Sequence, residues 1–198
     1  IRTPLNGIVG MTEVMLRELA LAPDLREKIA VVHGAGETMR ALVDDILDVA
    51  KIETGKLVIS PAEMDLRGLF HDAQRLWTGR ASAKGIGLSL EVDEALPRIV
   101  GDSSRLRQIV FNLMSNAIKY TESGGILVGA RRRGDRLSIE VSDTGIGILP
   151  ADLDQVFEPF RRGSGRLGAA RGRTGAGLGL FIVKRLAGLL RGTVSVRS

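Results

Sequence analysis

Leu25, Ile29, Val32, Gly36, Met39, Val43, Ile46 and Ala50 follow one another at steps of 4, 3, 4, 3, 4, 3 and 4. This heptad stripe runs for more than three heptads, and no other feature constrains the chain as much. A seam that narrow and long demands a helical partner of similar length. Just ahead of it, Leu5, Ile8, Thr12, Met15 and Leu19 also recur every third or fourth residue, and Ala22-Pro23-Asp24 supplies a turn. The first third of the chain therefore predicts an antiparallel helical hairpin. One hairpin buries little apolar surface, whereas two together make a four-helix bundle. A homodimer is the expectation; the alternative is that the stripe packs on the rest of the same chain.

The helix should end at Thr54-Gly55, where glycine can cap it. Beyond it the pattern changes to short mixed elements. Strands are predicted over 57–59, 88–92, 126–130, 137–141 and 192–196, and helices over 66–78, 104–120, 150–156 and 178–190. Strands and helices do not alternate strictly, which favours an α+β sandwich over a doubly wound sheet. The chain contains no cysteine, so disulfides, thiolate metal sites and cysteine nucleophiles are excluded. No apolar run approaches the ~20 residues of a membrane span, and a cytoplasmic location is expected, with membrane association only through parts outside this sequence. The net charge is +5, and five arginines fall in the glycine-rich stretch from Arg161 to Arg173. Aromatic residues make up only 4% of the chain and no base-reading motif is present, so no specific nucleic-acid partner is expected.

Three stretches could carry chemistry. In RLRQIVFNLMSNAIKYT, Asn112, Asn116 and Lys119 share one helix face, with Leu106, Ile109, Val110, Leu113 and Ala117 on the other. Two amide oxygens and an ammonium suit Mg²⁺ and phosphate, since magnesium accepts neutral oxygens when phosphates supply the charge. A plain solvated face gives the same pattern. In LSIEVSDTGIGI, a strand ends at Asp143 and runs into Gly145 and Gly147, where the backbone can turn and approach a flat ligand. A buried carboxylate there would accept a hydrogen bond from an exocyclic amine; an ordinary Asp turn is the alternative. In RTGAGLGLFIVKRLAGLL, Gly175, Gly177 and Gly179 open an amphipathic helix whose first N–H groups favour phosphate. The spacing is neither a dinucleotide fingerprint nor a Walker A loop, and a flexible linker would look similar.

Order and spacing together say more. NLMSNAIKY, DTGIGI, FEPF and GAGLGLFIVK resemble, in sequence, the N, G1, F and G2 boxes of sensor histidine kinases of two-component signalling, in the GHKL superfamily. IRTPLNGI resembles the tail of that family's phosphoacceptor box, and the following NGI hints at a hybrid kinase. ILDVAKIETGKL resembles the end of its second dimerisation helix. The resemblance covers essentially the whole chain. It implies a dimerisation and histidine-phosphotransfer hairpin over residues 1–55, followed by a Bergerat-type ATP-binding domain over 56–198. It implies Asn116 as the Mg²⁺ ligand, Asn112 and Lys119 near the phosphates, and Tyr120 beside the nucleotide. Asp143 would hold the adenine amine, Gly145 and Gly147 would shape its pocket, and Gly175, Gly177, Leu178 and Gly179 would approach the phosphates. Residues 157–176 would form an ATP lid anchored by Phe157 and Phe160. Lys119 is also implied in catalysis, and Thr3 as the polar residue that assists dephosphorylation.

The implied reaction is transfer of the γ-phosphoryl group of ATP to a histidine, then to the aspartate of a response-regulator receiver domain. The family's accepting histidine stands two residues before the position of Ile1, with its acidic helper one before. His33 and His71 have different contexts and are not expected to accept phosphate. After RGTVSVRS the family continues with a further strand, so the given sequence is expected to lack both the acceptor and that strand. The rival readings are another GHKL ATPase, which would share the ATP boxes but not IRTPL, and a nucleotide-binding dimerisation scaffold without kinase activity.

Overall fold

The computed structural model describes residues 2–18, 20–94, 96–161 and 176–198. They form a helical unit, residues 2–57, and a mixed unit, residues 58–161 and 177–198.

The helical unit consists of α1 (Arg2–Glu18) and α2 (Pro23–Glu53). Pro23 opens α2 in the first turn, where its missing N–H costs nothing, and the Ala22 carbonyl accepts the first helical bond from Arg26 at 2.9 Å. At the far end, Gly55 takes a left-handed φ of 65°. The N–H groups of Lys56 and Leu57 then both turn back to the Lys51 carbonyl, at 2.9 and 3.1 Å. This closure consumes the residues expected to begin a strand at 57–59, and no strand forms there.

The face α1 buries is Leu5, Val9 and Thr12. Ile8, placed on the stripe by the spacing alone, is instead 49% exposed. Gly36 explains the choice: a Cβ there would lie 2.9 Å from Val9 Cγ2, so the helices approach closely where α2 has no side chain. The Thr12 hydroxyl lies 2.9 Å from the Ile8 and Val9 carbonyls and 3.0 Å from His33 Nδ1 across the hairpin. Arg2 and Asp44 form a second crosslink at 3.3 Å. Next to it, burial, with Asp48 and Asp44 close by, pushes the Asp45 carboxyl up to about 6. Along α2 the heptad stripe divides. Ile29, Gly36 and Val43 are buried or half-buried, while Leu25, Val32, Met39 and Ile46 stay 47, 50, 54 and 51% exposed.

The mixed unit runs β1 (Ala62–Met64), α3 (Leu66–Ser82), β2 (Gly87–Val92), β3 (Ile99–Gly101), α4 (Ser103–Tyr120), β4 (Gly125–Arg133), β5 (Arg136–Asp143), a 3₁₀ turn (Pro150–Gln155) and α5 (Gly179–Leu189). β2 lies parallel to β4, from Gly87↔Gly125 to Val92↔Ala130, and β4 pairs antiparallel with β5. β1 and β3 form a separate antiparallel pair. Along β4, Ile126, Val128 and Ala130 are buried and meet Leu66, Phe70, Val110 and Met114 of the helical layer in one core. The result is the expected two-layer α+β sandwich following a helical hairpin. Residues 192–196 do not form the expected strand. Arg191 (φ 58°) and the Gly192 N–H, which returns to the Ala187 carbonyl at 2.8 Å, spend that turn on closing α5. Among the described residues, no helix is long and apolar enough to cross a membrane.

Candidate functional site

α4 is anchored at its start by Asp102. This buried carboxylate accepts from the N–H groups of Ser104 and Arg105 (3.1 Å each), the Ser104 hydroxyl (2.7 Å) and the Ser60 N–H (3.0 Å). Burial alone would raise its pKa, but these four bonds outweigh that and hold it below the usual carboxylate value. Leu106, Ile109, Val110, Met114, Ala117 and Ile118 are buried. Met114 takes the core position expected for Leu113, which is only half-buried. Asn112, Asn116, Lys119 and Tyr120 are half-buried.

Opposite Asn112 and Asn116 stands the start of α5. A Cβ at Gly179 would lie 3.8 Å from Asn112 Oδ1 and from Asn116 Nδ2, so any larger side chain would fill the space between them. Asn112 Nδ2 is buried and has no hydrogen-bond partner among the described residues. A buried amide donor without an acceptor calls for an explanation, and a ligand oxygen would supply one. The Leu178 side chain, 1% exposed, belongs to the core, so only its backbone is available to a ligand. Lys119 Nζ rests 4.8 Å from the Tyr120 ring centre.

The end of β5 is fastened to the end of α4. Ile146 N–H donates to the Tyr120 carbonyl at 3.3 Å. A Cβ at Gly145 would come within 2.6 Å of that same carbonyl, so only glycine fits. Thr144 stitches the loop to β4: its hydroxyl donates to the Ser123 carbonyl and accepts from the Gly125 N–H, both at 3.0 Å. Asp143 is exposed, not buried as the base-recognition reading required, and its Oδ1 accepts from the Gly145 N–H at 2.8 Å. That bond orients the carboxylate, as in an Asx turn. Gly147 has φ 68°, and its neighbour Ile148 donates to Ser198 Oγ at 2.7 Å.

Phe157 is half-buried beneath Lys184, whose Nζ lies 5.5 Å from the ring centre. Phe160 is 64% exposed and lies outside the core formed by the described residues. Its backbone, at φ 62°, instead donates to the Gly177 carbonyl at 3.1 Å. Gly177 has φ 71° and a Cβ there would strike the Arg161 carbonyl at 2.5 Å. Arg161 pairs with Glu158 at 3.0 Å. Gly175, Arg162, Arg166, Arg171 and Arg173 lie outside the described residues. Thr3 sits inside α1 and is exposed; His71 is exposed on α3.

The asparagine face, the glycine-opened helix and the Asp143 loop thus converge on α4. Two family patterns match the chain: the His Kinase A (phospho-acceptor) domain over residues 1–55, and the histidine kinase-, DNA gyrase B- and HSP90-like ATPase over 101–198. This chain belongs to the sensor histidine kinases. Among sensor histidine kinases it is 42% identical over 206 residues to the virulence sensor protein BvgS of Bordetella pertussis (strain Tohama I), covering 100% of this chain and 16% of BvgS. It is 39% identical over 207 residues to the autoinducer 2 sensor kinase/phosphatase LuxQ of Vibrio vulnificus (strain YJ016), covering 100% of this chain and 24% of LuxQ. The chain therefore spans under a quarter of these curated relatives. The crystal structure of full-length ShkA in complex with AMPPNP superposes with a TM-score of 0.79 at 36% identity, over 100% of this chain and 40% of that one.

The sequence reasoning missed the tie between Thr144 and Gly124. Gly124 has φ 95°, and a Cβ there would fall 2.2 Å from Thr144 Oγ1. Its place in the SGG run before an apolar strand was the available clue.

Proposed function

We propose that this chain is the catalytic core of a sensor histidine kinase that binds Mg-ATP and transfers its γ-phosphoryl group to a histidine. The hairpin domain spans 1–55 and the ATP-binding domain 56–198. The observation that carries the proposal is the orphaned Asn112 amide beside Asn116, facing the glycine-opened start of α5. The exposed, oriented Asp143 carboxylate at the other end of the same helix suits an adenine amine. Tyr120, Gly145 and Gly147 border that end, and Gly175, Gly177, Leu178 and Gly179 offer backbone to phosphate.

Among the described residues no group of three acidic or histidine side chains could hold a metal alone. The donor set fits magnesium held jointly by Asn116 and the nucleotide's own phosphates, and bound there it would neutralise charge on the triphosphate. Asn112 and Lys119 hold and orient phosphate oxygens. A histidine nitrogen attacks the γ-phosphorus in line, the bond to the β–γ bridging oxygen breaks, and ADP departs. In the family's pattern the acceptor stands two residues before the position of Ile1. The phosphoryl group then passes to the aspartate of a response-regulator receiver domain, with Thr3 assisting dephosphorylation. The exposed members of the α2 seam support a homodimer through the hairpin, and the core works in the cytoplasm.

The test is labelling of the full-length protein with γ-³²P-ATP. Acid-labile label that disappears in Asn116→Ala is expected. ATP binding without label in the full-length protein would leave a nucleotide-binding scaffold, and label mapped to His33 or His71 would move the acceptor into this chain.

A further inference from the structure

Beyond these residues, the geometry points to Lys84 as a positioning residue for the base end of the nucleotide site, an inference that rests on reading that site as one for adenine nucleotide. Lys84 follows α3 in the turn Lys84-Gly85-Ile86, and its backbone is fixed on both sides. Its N–H donates to the Ala81 carbonyl at 3.0 Å, Gly85 takes φ 69°, and Ile86 is buried and also donates to the Ala81 carbonyl at 3.0 Å. From this fixed point the side chain crosses to the end of α4. Its Nζ donates to the Ile118 carbonyl at 2.6 Å and reaches those of Thr121 at 3.3 Å and Lys119 at 3.4 Å.

Carbonyls of a helix's last turn lack intrahelical partners and carry the negative end of its dipole, so an ammonium there is favourable. The one carbonyl of this run that Lys84 does not take is that of Tyr120. It instead accepts the Ile146 N–H and leaves no room for a Cβ at Gly145. The same turn is thus gripped by Lys84 on one side and by the Asp143–Ile146 loop on the other. The segment after Lys84 adds a second tie, because Gly87 N–H donates to the Gly124 carbonyl at 2.9 Å beside Thr144. Lys84 touches no ligand position; it sets the direction of the Tyr120 carbonyl and hence the place of Asp143. Asn112 lies roughly two turns earlier on α4, facing Gly179 of α5, and the phosphate role of Lys119 belongs to its side chain, not to the carbonyl that Lys84 reaches.

The consequence is a separation of base binding from phosphate binding. In the full chain, Lys84→Met should weaken ATP about three- to tenfold. It should leave competition by magnesium tripolyphosphate, which has no base, unchanged. Lys84→Arg keeps a cation at the helix end and should restore most of the affinity, while the melting temperature moves by no more than about 4 °C. Lys84→Met should also be non-additive with Asp143→Asn, since both act on the base end. Equal loss of ATP and tripolyphosphate, failure of Lys84→Arg to rescue, or full additivity with Asp143→Asn would each overturn the assignment. If Asn116→Ala and Asp143→Asn leave ATP affinity intact, the adenine-nucleotide reading itself fails, whatever Lys84 does.

Discussion

On α2, Val32, Met39 and Ile46 of the apolar seam stand about half exposed, whereas in the mixed unit Phe70, Leu66, Met114, Val110 and Ile182 are almost wholly withdrawn from water. The two regions draw on the same amino acids. What differs is whether the chain supplies both sides of the contact. The mixed unit closes its own core, with a sheet face against α3 and α4. The hairpin closes only the seam around Gly36 and Val9 and leaves the rest of its stripe for another surface. One region covers its apolar side chains with its own elements; the other leaves half of its stripe open to water.

Breaking that distinction should produce the largest effect. Val32→Glu with Met39→Glu places charge on the exposed half of the seam, and dimerisation measured by sedimentation should weaken by at least about a hundredfold. ATP affinity per chain should stay as it was. If association persists, the exposed stripe is not the dimer surface. Next in size is Gly177→Ala, which forces a left-handed φ on alanine and drives its Cβ into the Arg161 carbonyl. Nucleotide affinity by calorimetry should fall about tenfold or more, with helix content and dimerisation of the hairpin untouched. Asp102→Ala removes a four-bond cap and should cost the mixed unit about 1–3 kcal/mol in denaturant unfolding. Because its folded pKa is depressed, that contribution is present above the unfolded value and is lost as pH falls through the folded one. The smallest effect has the opposite sign. Asp45 is raised to about 6 in the folded hairpin, so ionising it costs stability as pH rises through that value. Asp45→Asn should stabilise the hairpin at neutral pH, and the gain should vanish below about pH 4, where the unfolded carboxyl is also protonated.

The hairpin, the sandwich and the three stretches that meet at α4 could all be read from the chain, because helix period and glycine placement are local properties. The misplacements share a cause. Residues 57–59 and 192–196 carry apolar patterns suited to strands, but each follows a helix whose closure takes up the local backbone N–H groups first. Ile8 has the right spacing and the wrong face, because the choice between Ile8 and Val9 is made by a missing side chain 27 residues later, at Gly36. Lys84 is invisible for the same reason. Its partners are carbonyls, which every residue has, and only the three-dimensional path of the chain brings them within reach.

The parallel pairing of β2 with β4 has a consequence for how the molecule is made. A strand beginning at Gly87 cannot find one beginning at Gly125 by a tight turn; the intervening chain must close a loop, and that loop contains α4. Closing it carries an entropic cost that local contacts in the hairpin avoid. In refolding, helical signal from the hairpin should therefore come early and the sheet later. Asn112 and Asn116 ride inside the loop, so the helix that carries them is delivered by the same event that completes the sheet.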